Sequence, residues 1–352
     1  MAPPPRVCVV GGGGFVASWL VKLLLSRGFA VHATVRDPSD PKNAFLTELD
    51  GASENLRLFR ADVLDLGTLT AAFAGCEGVF HPATPVPGDK MVDPEKELVD
   101  PTVKGTKNVL EACSATNVQK LIVVSSVAAS CFDPNWPEGK LKDESCWTDK
   151  QLCKETQDWY SLAKTEAEEM ALDYGKKNGL HVVTFCPGLV VGPLLQHVSV
   201  NTSSKVLLYI IKGGPDTLSN KFWPLIDVRD LADAMLLAYE KAETSGRYIC
   251  SLDQMDIKDL VALMKSIFPN YNYAEKMVDV DYKVYTTSNK LKNLGWQPRK
   301  LEETLTDSVE YFVKVWTSSG CRQGTLPASL FLPCEHRGMN GIWGSYDQNI
   351  TE

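Results

Sequence analysis

Tyr160 and Lys164 stand four residues apart in the stretch "QDWYSLAKTEAEEMALDYGKKNG", residues 157–179. That spacing puts both side chains on one face of a helix. A phenol with its ordinary pKa near 10 is a poor acid–base group at neutral pH. An ammonium and a second positive charge close to it would stabilise tyrosinate and bring that pKa down. The chemistry such a pair serves is proton delivery to an oxyanion, as formed when a hydride adds to a carbonyl. A hydroxyl at the end of a neighbouring strand would hold the carbonyl oxygen. "LIVVSSVAAS" offers two, Ser125 and Ser126. Tyr–Lys pairs at this spacing are also common on plain helix surfaces, so the reading depends on what surrounds them.

A hydride needs a carrier, and "VCVVGGGGFVASWL" has the form of a carrier's loop. Its spacing is Gly11-x-x-Gly14-x-x-Ala17. Gly11 permits a tight turn, and Gly13 and Gly14 let backbone N–H groups approach a pyrophosphate at a helix N-terminus. Ala17 lets that helix lie close to the sheet. A bare glycine run is equally a flexible turn, but here it lies between a first strand and a first helix, as a dinucleotide site requires. The second strand ends "ATVRD". An acid at that place suits a ribose 2′-hydroxyl; Arg36, with Lys42 in the loop that follows, suits a 2′-phosphate and therefore NADPH/NADP+. Asp37 is a competing signal, and both cations also read as solvated loop charges. Asp62, after the third strand, is placed to contact an adenine or to cap a helix.

The elements that must position these residues alternate along the first half. "RVCVV", "AVHATV", "LRLFRADV", "GVFHPA", "KLIVVSS" and "HVVTFC" read as strands, with helical segments between them. Alternation of this kind predicts βαβ units and a parallel sheet, and the near-continuous apolar strands predict a sheet covered on both faces. The expected fold is an α/β, Rossmann-type doubly wound parallel sheet over residues 5–190. After Pro187 the pattern changes, and a smaller, mostly helical substrate lobe is expected over 191–317. Pieces near 225–251 should return to the main sheet, among them the strand "GRYICS". Residues 318–352 lack periodicity and are rich in Gly, Ser and Pro, which predicts a loosely attached tail.

Composition bounds the rest. The chain has 352 residues, a net charge of −8 and no basic stripe, which argues against general nucleic-acid binding. No secretion signal is read at the start, and no apolar run reaches the roughly 18 residues that span a bilayer. The ten cysteines lack zinc-ligand spacing, so reduced thiols and a cytosolic location are expected. The histidines, His81 included, suggest no catalytic or metal role. Trp159 reads as a packing residue.

Taken together, "GGGGFVASWLVKLLLSRG", "TVRDPSDPKN", "VFHPATPV", "DPTVKGTKNVLEA", "VVSSVAAS", "DESCWTD", "PGLVVGPLLQ" and "SGRYIC" carry a family resemblance. Over residues 5 to 315 the chain resembles the extended short-chain dehydrogenase/reductases, and among them the plant cinnamoyl-CoA reductase and dihydroflavonol reductase group. The resemblance implies Ser126, rather than Ser125, as the hydroxyl that positions the substrate. It implies Tyr160 as proton donor and Lys164 as the group that tunes it and binds the nicotinamide ribose. It implies cofactor contacts at Phe15 and Val16 beside the glycines, at Val63 beside Asp62, and at Pro187 against the nicotinamide. "VFHPAT" would line the cofactor crevice.

What the resemblance implies is an NADPH-dependent reductase acting on a small phenolic carbonyl, a CoA thioester in the first place, without nucleic acid or membrane, as a monomer or weak dimer. An aldehyde or ketone reductase of the dihydroflavonol kind is the alternative, and a regulatory NADPH-binding protein with little turnover is a third. The chain departs from the family at several places. Where the family reads N-W-Y-C-Y-G-K, Asp158, Ser161, Leu162 and Ala163 differ, and Ser161 removes a cysteine. Val206, Tyr209 and Asp253 fall where the family has basic residues against CoA. Val10 replaces a threonine, and Pro82 removes one N–H. A redox role for Cys146 or Cys153 is open.

Overall fold

The computed structural model describes residues 4–83, 91–196, 201–211, 217–220, 224–252, 255–274, 276–279 and 284–318. Its strands are β1 (Arg6–Val9), β2 (Ala30–Val35), β3 (Leu56–Arg60), β4 (Gly78–His81), β5 (Lys120–Val124), β6 (His181–Pro187), β7 (Leu189–Val191), β8 (Thr217–Asn220), β9 (Leu225–Asp227), β10 (Gly246–Cys250) and β11 (Lys276–Asp279). Its helices are α1 (Phe15–Ser26), α2 (Ala52–Asn55), α3 (Leu66–Phe73), α4 (Asp100–Ala115), α5 (Lys150–Glu155), α6 (Trp159–Asn178), α7 (Thr202–Ile211), α8 (Val228–Glu240), α9 (Ile257–Ile267), α10 (Asn289–Asn293) and α11 (Leu301–Ser318).

Seven strands form one parallel sheet in the order β10-β6-β5-β4-β1-β2-β3. Successive side chains leave a strand on opposite faces. Val7 and Val9 of β1 join Ile122 and Val124 of β5 in a core shared with α1 and α8. Cys8 and Val10 join Leu121 and Val123 in a second core with α3, α4 and α6. Both faces are therefore covered, which is why β4 and β5 are buried at every position while edge strand β3 is not. The expected doubly wound α/β sheet is what forms, and "GRYICS" returns to it as β10.

Beyond the sheet, a third core joins Val191 to Leu207 and Ile210 of α7, Leu260 and Met264 of α9, and Leu305 and Val309 of α11. This is the smaller, mostly helical lobe. It also contains two short parallel pairs, β7 with β9 and β8 with β11. The second pair is not legible in the sequence, because "KMVD" is mostly exposed and lacks strong strand patterning. A π-helical turn over Glu95–Val99 leads into α4, with Pro101 tolerated in the first turn. The expected tail lies outside the described residues, except that Ser318 ends α11.

Candidate active site

Gly14 precedes α1 in extended conformation, and the loop before it is tightly determined. Gly11 has φ of 73°, and its N–H donates to Thr34 Oγ1 at 2.9 Å. A Cβ on Gly13 would stand 2.3 Å from Oδ1 of Asn43, a buried side chain tied to Asp37 O at 2.9 Å. These two positions need glycine. The first-turn N–H groups of Phe15 and Val16 have no helical acceptor, as at any helix start, and suit an anion.

A cavity of about 610 Å³ runs along the C-terminal edge of the sheet. Every residue singled out for cofactor binding or catalysis lines it. In the order of the strands these are Asp62 and Val63 after β3, Arg36 and Lys42 after β2, then Gly11, Gly13, Gly14, Phe15 and Val16 after β1. Ser126 follows β5, Tyr160 and Lys164 come from α6, and Pro187 ends β6. The cradle fits a dinucleotide laid across the sheet, with the cations at one end and the hydroxyl groups at the other.

At the first end, Arg36 is exposed and Lys42 pairs with Asp40 at 2.7 Å. Asp37, the competing acid, is already engaged. It accepts from the Ser39 hydroxyl at 2.7 Å and N–H at 3.0 Å and pairs with Arg60 at 3.1 Å. Those Ser39 hydrogen bonds first, with Arg60, hold its pKa at about 2. Asp62 accepts from Leu64 N–H at 2.9 Å, while the cap of α3 is Asp65. The capping alternative for Asp62 therefore belongs to Asp65. Thr34 and Asn43 also line the cavity and are missed by sequence reasoning; only "DPSDPKN" carries a trace of Asn43.

At the other end the two serines part company. Ser125 Oγ donates to Glu168 Oε2 at 2.7 Å. Ser126 Oγ accepts from Ala128 N–H at 3.2 Å and hydrogen-bonds Tyr160. Tyr160 is half-buried, with Lys164 Nζ 5.9 Å from its ring centroid. Burial pushes the Tyr160 phenol above 10, opposed by the Ser126 hydrogen bond and reinforced by the nearby Asp158. The expected depression is therefore absent in the protein alone: Lys164, 7% exposed, is itself brought down to about 8 by burial, with Glu168 opposing. Its Nζ donates to Val124 O at 3.4 Å. His81 is buried and lowered to about 3, by burial first and then Lys164, so it is neutral.

Asp158 caps α6, accepting from Ser161 N–H at 3.0 Å and Ser161 Oγ at 2.6 Å. Asp158 and Ser161 thus depart from the family pattern as a hydrogen-bonded pair. Leu162 and Ala163 are buried in a small core with Cys153, beside Trp159, which packs as expected. Burial raises Cys153 to about 12 and Cys146 to about 11, so both are neutral thiols rather than reactive thiolates.

Burial also raises Asp158 to about 6 from 3.8. A carboxyl whose folded pKa lies above its unfolded value favours folding while protonated, and that contribution is lost as pH rises through about 4 to 6. Asp158→Asn keeps an acceptor for Ser161 N–H and removes the loss. Between pH 4 and pH 7 the variant is expected to gain roughly 2 kcal/mol over the parent, read by urea denaturation at both pH values. An unchanged difference would mean that Asp158 does not ionise in this window.

Of the positions expected against CoA, Val206 is 7% exposed within the third core. A basic side chain there would enter apolar packing. The exposed basic residue of that turn is Lys205, one place earlier. The Tyr209 side chain and Asp253 lie outside the described residues.

Residues 7–250 match the NAD dependent epimerase/dehydratase family. Cinnamoyl-CoA reductase 1 of Petunia hybrida is 43% identical over 308 residues, 86% of this chain and 91% of that protein. The crystal structure of vestitone reductase from alfalfa superposes with a TM-score of 0.76 at 29% identity, covering 90% of this chain and 99% of that one. Yeast methylglyoxal/isovaleraldehyde reductase Gre2, solved with NADPH, gives 0.76 at 25% identity, covering 89% and 99%. This chain therefore belongs to the NAD dependent epimerase/dehydratase family and, within it, to the extended short-chain dehydrogenase/reductase group, as an NADP-dependent oxidoreductase.

Proposed function

We propose that this chain is an NADPH-dependent reductase of a phenylpropanoid-type carbonyl, first of all a hydroxycinnamoyl-CoA taken to its aldehyde. The observation that carries this reading is the convergence of Ser126, Tyr160 and Lys164 at one end of a cavity whose other end offers Arg36 and Lys42. Bound NADPH supplies the hydride. Ser126 holds the carbonyl oxygen, and Tyr160 gives it a proton as the carbon becomes tetrahedral. Lys164 stabilises the phenolate left behind and recovers its charge balance when solvent reprotonates Tyr160. The product of a thioester at this stage is a thiohemiacetal, which collapses to the aldehyde and the CoA thiol. The name of the 43% identical relative supports the thioester.

A phenolic aldehyde or dihydroflavonol-type ketone is the second reading. The same three groups then yield an alcohol, with no thiol to expel. It is favoured by the burial of Val206, where a basic side chain directed at CoA would have to enter apolar packing. In either case residues 5–190, with the returning 225–251 segment, form the cofactor domain, and 191–317 form the substrate lobe. The working unit is a monomer or weak dimer in the cytosol.

NADPH oxidation with feruloyl-CoA and, separately, coniferaldehyde tests the choice. Turnover of the CoA ester that Tyr160→Phe abolishes supports the first reading. Turnover of the aldehyde alone moves the protein to the second. NADPH binding without turnover of any carbonyl would sink both.

The cofactor end carries its own prediction. Arg36→Ala is expected to lower the preference for NADPH over NADH by roughly 30-fold, through loss of a charge-assisted contact to the 2′-phosphate. The kcat at saturating NADPH should stay within about twofold, since Arg36 is remote from the reacting atoms. An unchanged ratio of kcat/KM values would remove Arg36 from cofactor selection.

A further inference from the structure

Glu168 lies one turn beyond Lys164 and two beyond Tyr160 on α6, 1% exposed. Its Oε1 accepts from Thr184 Oγ1 of β6 at 2.6 Å and from Arg247 Nε of β10 at 2.9 Å. Its Oε2 accepts from Ser125 Oγ at 2.7 Å and from Arg247 Nη2 at 3.3 Å. The Cys186 thiol lies 3.3 and 3.4 Å from the two oxygens. Arg247, 5% exposed, reaches further. Nη2 donates to Ala129 O at 3.0 Å, Nη1 donates to Glu144 O at 3.1 Å and to Cys146 O, and the guanidinium lies 3.5 Å from the Trp147 ring centroid. Ala129 ends the 3-10 turn that Ser126 caps. One ion pair thus ties the helix bearing Tyr160 and Lys164 to the turn bearing Ser126, although these segments join different strands.

Burying an ion pair is weak evidence for stability, because apolar packing of similar volume often does as well. Its placement points to another role. We propose that Glu168 and Arg247 form a positioning pair for carbonyl reduction, holding the Ser126 turn against the Tyr160 face and keeping the Lys164 ammonium charged. The inference rests on the reductase reading of Ser126, Tyr160 and Lys164 given above. Among the described residues, Lys164 faces the Tyr160 ring, whose centroid is 5.9 Å from Nζ, and four further groups. Glu168 is on its own helix, Cys186 comes from β6, His81 from β4 and the Val124 carbonyl from β5. Burial holds Cys186 as a neutral thiol and His81 as a neutral imidazole, so among the described residues Glu168 is the anion that acts on Lys164. Asp158 acts on Tyr160 rather than on Lys164.

The test is the pH profile of kcat/KM for the full-length chain with NADPH and a carbonyl the parent reduces. Glu168→Gln keeps the shape and loses the charge. Its alkaline limb is expected about one pH unit lower than the parent's, with kcat down roughly tenfold and the Kd for NADPH within about threefold. Arg247→Lys keeps the ion pair but loses the fork to Ala129 and Cys146. It should lower kcat while leaving the limb in place, a split that a purely structural role would not produce. Because Glu168→Gln leaves an uncompensated guanidinium in the interior, Glu168→Gln/Arg247→Met carries the same test without it, and the same downward shift is expected. A limb at the parent's position in the Glu168 variants overturns the proposal. Failure of the underlying reading looks different: the parent then shows no turnover that depends on Tyr160.

Discussion

Tyr160→Phe is expected to lower kcat by roughly 10³-fold while leaving the Kd for NADPH within about threefold. The reason starts from protonation. Burial pushes the phenol above its ordinary pKa, so in the free protein at neutral pH Tyr160 carries its proton and is loaded as an acid. The oxyanion formed by hydride addition then has one proton donor within the Ser126–Tyr160–Lys164 group. Ser126 has a far higher intrinsic pKa, and Lys164, brought down to about 8, is needed as the charge that stabilises the phenolate. Removing the hydroxyl leaves the ring to pack as before, and Ser126 retains its hydrogen bond from Ala128 N–H. The fold and the cofactor cradle are untouched, so the loss should fall on kcat. Steady-state NADPH oxidation beside a fluorescence titration of NADPH reads the two quantities separately. A variant turning over within tenfold of the parent would take the proton-donor role away from Tyr160.

Gly188→Ala should be among the most damaging single changes near the site, with an expected loss of about 3 kcal/mol in stability. Gly188 joins β6 to β7, and a Cβ there would stand 2.1 Å from the Pro224 carbonyl oxygen and 2.6 Å from its carbon. Both are backbone atoms, so no side-chain rotation relieves the contact. Pro224 O also accepts from Leu189 N–H at 2.6 Å, and Gly188 N–H donates to Cys250 O at 3.0 Å. Pushing the strands apart loosens both bonds and the β7–β9 pair that follows. Pro187, Gly188 and Leu189 line the cavity beside Lys164, so cofactor affinity should fall at least tenfold with stability. The melting temperature is expected to drop by roughly 5 °C. Parent-like melting and NADPH binding would show that the strands separate at little cost.

Signals of short range are legible in the amino-acid sequence. The alternation of apolar strands with helices, the strand–glycine–helix order and the Tyr160–Lys164 spacing all arise within a few residues, where backbone geometry maps sequence onto placement. They determine the doubly wound sheet, the dinucleotide loop and the two groups on α6. The strand-end position of Arg36, Asp62, Ser126 and Pro187 follows, because loops after parallel strands gather at one edge.

The tertiary structure decided what depends on partners far along the chain. Ser125 and Ser126 are adjacent and alike in sequence, yet Glu168 takes one hydroxyl and Tyr160 the other. Asp37 reads as a rival to Arg36 in sequence, but Arg60, from the next strand, pairs with it. Val206 reads as a lost ligand contact, but packing places it in a core. The Tyr160–Lys164 spacing predicts an acidified phenol, but desolvation, a property of everything around it, sets the direction in the protein alone. Local patterning thus gives the elements of the main sheet and the chemistry they could bring to one edge. Only the folded chain decided which group meets which and in what charge state, because hydrogen bonding and desolvation depend on distances in space that no local period encodes.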